Sequence, residues 1–138
     1  MSRKYLPTFA ELVDRMSICL LKRVFIPENS GAYDKEIQDI KHDLDQIVKE
    51  KDVKLTSEMI FATLVIMLSN RYIWENESKC RTGKDQDYSL LGITHSINGV
   101  RNNAKNVISD GLGQRKDLKI DCLSAELKSE LENWDIFK

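Results

Sequence analysis

Apolar positions recur at three- and four-residue spacing along most of this chain, and strict alternation is nearly absent. The pattern predicts an all-α protein, a helical bundle of four main helices plus a C-terminal one, in a single helical domain over residues 1–138. Thr8-Phe9-Ala10-Glu11, after Pro7, has the form of a capping box and opens the first helix. Phe9, Leu12, Val13, Met16, Cys19, Leu20 and Val24 give that helix its apolar arc, and Pro27 ends it. The following ENSGAY reads as a loop. Ile37, Ile40, Leu44, Ile47 and Val48 predict a second helix from about Tyr33 to Lys51, with mixed charge on its other faces.

The third helix is expected to start at Thr56-Ser57-Glu58. Its core, MIFATLVIMLSNRYIW, is apolar on every side for three turns, which suits the centre of a bundle or an oligomer interface. Residues 78–87 read as a polar loop. A fourth helix is expected from Tyr88 to Ser109, capped at Asp110-Gly111. Beyond a linker from Leu112 to Asp117, Leu123, Leu127, Leu131 and Trp134 mark a last helix over Ile120 to Trp134, where LKIDCL has one short strand as its alternative.

Composition narrows the function classes. Lys and Arg number 21 against 22 Asp and Glu, a net charge of −1, so no global basic field favours general nucleic-acid binding. No apolar run approaches the ~20 residues of a membrane span, and the charged N-terminus lacks the apolar core of a signal peptide. Cys19, Cys80 and Cys122 are odd in number and lack CxxC spacing, as expected of reduced thiols in the cytoplasm. With only His42 and His95, no zinc site and no other metal or cofactor is expected.

The strongest candidate for chemistry is the fourth-helix stretch HSINGVRNNAKN. At 100° per residue His95, Asn98, Asn102, Lys105 and Asn106 share one side, with Arg101 at its border. That face carries no acid. Asn disfavours helix, so three of them in mid-helix suggest specific hydrogen bonds. Two readings follow: a polar seam buried between helices, or a donor-rich site in which amides read a base or ribose and cations meet phosphate. Arg71 and Trp74, with Tyr72, leave the third helix where it turns polar. They offer either a capped bundle end or a second wall to the same site. Asp14 lies on an apolar side of the first helix and needs a partner, for which Arg71 and Arg101 are candidates.

Catalytic patterns are missing. Glu75, Glu77, Asp85 and Asp87 straddle a helix end and a loop, without the E-x-x-E and later E-x-x-D by which all-α nucleotide pyrophosphohydrolases hold magnesium. The R-x(4–6)-H of helical ribonuclease toxins, G-x-S-x-G and Gly-rich phosphate loops are also absent.

The segment LPTFAELVDRMSICLLKRVFIPE resembles the opening of small all-helical accessory proteins encoded by tailed bacteriophages. Its F-A-E-L-V-D-R-M-S-I-x-x-L-K also resembles a helix of an uncharacterised bacterial family found near glycan-synthesis genes. The first resemblance implies a helical fold, action in the cytoplasm of a bacterial host and a counter-defence role. The resulting expectation is a non-enzymatic, homo-oligomeric protein. It binds or sequesters a small anionic ligand, with a nucleotide favoured, through His95, Asn98, Arg101, Asn102, Lys105, Arg71 and Trp74. The alternative is a protein–protein interaction module that inhibits or scaffolds a host partner, and a third class is a nucleotide-processing enzyme.

Overall fold

The computed structural model describes residues 5–82, 88–114, 133–134 and 136. Its helices are α1 (Phe9–Phe25), α2 (Ser30–Lys51), α3 (Ser57–Thr82) and α4 (Tyr88–Leu112), with a 3-10 turn at Pro27–Asn29. Among the described residues there is no strand, so the chain folds as an all-α bundle. The expected fifth helix over Ile120 to Trp134, and its strand alternative, lie almost wholly outside the described residues.

Helix ends follow local chemistry. Thr8 Oγ1 accepts from the Glu11 amide at 3.2 Å, and Thr56 Oγ1 accepts from the Met59 amide at 3.2 Å. Each satisfies one donor that the first turn leaves unpaired. Gln114 Oε1 takes a further such donor, the Phe9 amide, at 3.0 Å, tying the start of α1 to the end of α4.

Three boundaries differ from expectation. The ENSGAY stretch is not a loop, because Pro27 pre-sets the first position of a 3-10 turn and the chain re-enters helix at Ser30. The third helix runs on through the polar residues to Thr82, a stretch that contains no Pro or Gly to break it. The fourth passes Asp110-Gly111 and ends at Leu112, followed by Gly113. That residue takes φ +64°, while the Gln114 and Gly113 amides donate to the Ser109 and Asp110 carbonyls at 2.9 and 3.3 Å. This is the Schellman arrangement, which needs a left-handed residue and so favours glycine.

Helices α1, α3 and α4 make the core. Ala10, Val13, Met59, Ala62, Val65, Ile66, Val100, Ala104 and Ile108 form one cluster among them. The alanines, each almost fully buried, let the backbones approach closely. A second cluster, Ile73, Ile93 and Ile97, extends the α3–α4 seam, with Tyr72 packed against Trp134 at a centroid distance of 5.3 Å. Helix α2 packs chiefly on α1, through Ile37, Ile40, Leu44 and Ile47 against Leu12, Met16 and Cys19. Ion pairs Arg15–Glu36 (2.9 Å) and Arg23–Asp34 (2.8 Å) fix this antiparallel pairing from the solvent side.

The apolar third helix is only half enclosed. Met59, Ala62, Val65, Ile66 and Ser69 face the core. Ile60, Phe61, Leu64 and Leu68 lie on the outside, with Leu64 at 63% exposure. In this chain α3 is therefore not the surrounded centre of the bundle. No helix among the described residues is long and apolar enough to cross a membrane.

Candidate functional site

Three helices bring polar side chains together at one level of the bundle. Asn70, on the core side of α3, is 3% exposed. Its Nδ2 donates to Asp14 Oδ1 of α1 at 2.7 Å and also to Ser17 Oγ. Its Oδ1 accepts from Arg101 Nη1 of α4 at 2.9 Å. The neighbours fix the orientation of the amide, since a carboxylate only accepts and a guanidinium only donates. Ser17 Oγ donates in turn to the Asp14 carbonyl at 2.7 Å. Asn70 thus spends both donors on α1 and its acceptor on α4, and joins these two helices to α3 as the hub of the group.

Two cations flank the Asp14 carboxylate. Lys105 Nζ lies 3.7 Å and Arg101 Nε 4.0 Å from Oδ2, with the three side chains only 13–23% exposed. At these separations the charges attract without a hydrogen bond, and Arg101 Nε is left buried with no hydrogen-bond partner. A buried carboxylate without compensation would be costly; here one amide bond and two nearby positive charges supply it.

Arg101 also reaches the wall of a cleft of about 350 Å³ bounded by α1, α3 and the start of the α1–α2 turn. Ile18, Leu21, Ile26 and Ile73 make it largely apolar, Trp74 adds an aromatic wall, and Lys22, Asn70, Arg101 and Glu77 bring polar groups. Phe25 stacks on Trp74 with centroids 6.1 Å apart and holds the indole in place. The combination of an apolar floor, an aromatic side and a few polar groups is that of small-molecule sites generally.

The residues expected from the sequence divide. Arg101 and Trp74 line the cleft. Lys105 stands behind it on Asp14. Arg71 does not line it: its guanidinium lies 4.4 Å over the Phe25 ring and bonds Glu75 at 2.8 Å, closing the bundle end. His95 is exposed and Asn98 and Asn102 are half-buried, none of them at the cleft. For Asp14, the partner is Arg101 with Lys105, not Arg71. Sequence reasoning missed Lys22 and the role of Asn70. Asn70 carried a readable signal, an amide on the core side of a helix just where its apolar stretch ends; Lys22 looked like any cation in a last helical turn.

Two groups elsewhere have shifted titration. Burial, then the Glu36 charge and hydrogen bond, pushes the Cys19 thiol up. The hydrogen bond from Arg15 holds the Glu36 carboxyl below its ordinary value. Among the described residues no three His, Cys, Asp or Glu come together where a metal ion would be held. No protein-family model matches this chain, and comparison with curated proteins and with solved structures finds no similar one.

Proposed function

We propose that this chain is a non-enzymatic binding protein that takes a small anionic ligand, a nucleotide by preference, into the cleft between α1 and α3. The observation that supports this is the convergence of Lys22 and Arg101, from different helices, on an apolar cleft walled by Trp74. A cation pair meets phosphate, while the apolar walls and indole meet a base. Arg101 suits the task because Asn70 already holds its guanidinium by one corner, which lowers the ordering cost on binding. The resemblance to bacteriophage accessory proteins supplies a setting, sequestration of a signalling nucleotide in the host cytoplasm. Isothermal titration against a panel of nucleotides tests the reading. Binding is expected to weaken about tenfold in Lys22→Ala with the melting temperature unchanged. Absence of heat across the panel, with a folded protein, contradicts it.

A second reading rests on a different surface. The outer stripe of α3, Ile60, Leu64 and Leu68 at four-residue spacing, is about half exposed or more at each position. Contiguous apolar surface of this kind marks interaction sites, and a second copy or a host protein would cover it. Analytical ultracentrifugation of wild type and Leu64→Glu tests self-association, the substitution being expected to leave only monomer with helicity intact. A wild type that is monomeric at every concentration removes the homo-oligomer.

A further inference from the structure

The charges around the cleft restrict the kind of anion it takes. Lys22 and Arg101 are its two cations and Glu77 is its one acid, so the lining carries one unit of positive charge. Behind the lining, Asp14 stands between Lys105 at 3.7 Å and Arg101 at 4.0 Å, so the three groups together carry one unit of positive charge. Among the described residues neither Lys22 nor Glu77 stands in an ion pair, and Lys22 also feels the more distant Glu36 carboxylate, which lowers the positive field at the cleft. The fold lowers the field further. Helix α1 ends at Phe25, and Ile18, Leu21, Lys22 and Ile26 of the cleft belong to its last two turns and its cap. The carbonyl end of a helix carries about half a negative charge, and Arg23 in the last turn is already held by Asp34.

From this geometry we infer that the cleft selects a singly charged anion bearing a planar ring, of the nucleoside cyclic phosphate kind, over the doubly charged phosphate monoester of the same nucleoside. The inference rests on the cleft being the ligand site. A phosphate monoester carries close to two negative charges above its second pKa of about 6, one more than the lining neutralises. A phosphodiester carries one. The surplus charge of the monoester faces Glu77 and the end of α1 in a partly desolvated site, where repulsion is stronger than in water. The volume of about 350 Å³ accommodates one nucleotide unit rather than two.

The test titrates the full chain at pH 8 with adenosine 3′,5′-cyclic monophosphate and with adenosine 5′-monophosphate. The cyclic monoanion is expected to bind about tenfold more tightly. Glu77 is exposed, so Glu77→Gln leaves the fold in place and adds one unit of positive charge. It is expected to move the affinity ratio toward the monoester by at least about threefold. Equal or tighter binding of the monoester by wild type, or an unchanged ratio in Glu77→Gln, overturns charge selection while leaving the cleft as the site. Binding of neither nucleotide removes the cleft reading and this inference with it.

Discussion

Replacing Asn70 by alanine removes a side chain of α3 that bonds to both α1 and α4. Three hydrogen bonds go, two of them to charged groups. Bonds to charged partners contribute about 1.5–3 kcal/mol each and neutral ones about 1 kcal/mol. The larger effect is what remains: Asp14 and Arg101, 13% and 23% exposed, lose a partner without gaining water fully. Partial exposure tempers that penalty, so the expected loss lies at the lower end for a broken buried pair, about 3 kcal/mol. For a chain of this size that lowers the melting temperature by roughly 10–15 °C. Urea unfolding followed by circular dichroism at 222 nm measures it, with an unchanged slope confirming a pure stability effect. A cycle with Asp14→Ala sharpens the test: the double variant is expected to lose at least about 1 kcal/mol less than the two single losses combined, because the sites touch. A loss below about 1 kcal/mol in Asn70→Ala, or additivity in the cycle, refutes the hub.

Other consequences follow from the same packing. Ile66, with no exposure, fills the space among α1, α3 and α4, and Ile66→Ala is expected to cost about 2–5 kcal/mol in the same urea assay. Thr8→Ala removes the α1 cap and is expected to cost about 1 kcal/mol. Because Glu36 has a lowered folded pKa, its contribution is complete above the ordinary carboxylate value of 4.5 and fades as pH falls through the folded one. Wild type and Glu36→Gln stabilities are therefore expected to converge between pH 4.5 and strong acid; parallel curves contradict the Arg15 pairing. In a background with Cys80 and Cys122 changed to serine, Cys19 is expected to react with a thiol reagent at pH 8 at least about tenfold more slowly folded than in urea, since burial raises its pKa and blocks access.

Much of the architecture was legible because it is written in local terms. The three- and four-residue spacing of apolar side chains, Thr8 and Thr56 as caps and Pro27 as a stop depend on neighbours within a turn or two. Gly113 was legible in principle, but two glycines two residues apart compete for one helix end, and only the paired bonds to Ser109 and Asp110 decide between them. Tertiary consequences were harder. Periodicity puts Arg101, Asn102 and Lys105 on adjoining positions of one helix without saying that α1 lies beside Arg101 and Lys105. Asp14 was recognisable as an acid in need of a partner, and Arg101 as one candidate. That Asn70 joins them depends on the crossing of three helices, which no spacing encodes. The same crossing opens the cleft beside Lys22, a residue with nothing distinctive in its sequence setting.

The central claim is that a small anion binds between Lys22, Trp74 and Arg101, and not along the face of α4 that carries His95, Asn98 and Asn102. Nitrogen-15 correlation spectra recorded during titration with adenosine 3′,5′-cyclic monophosphate test it most directly. The account predicts that the Trp74 indole, the Asn70 side-chain amide and the Arg101 Nε resonance shift together with one affinity, while the His95 and Asn102 signals stay in place. Shifts confined to His95, Asn98 and Asn102, or none at millimolar ligand, contradict it.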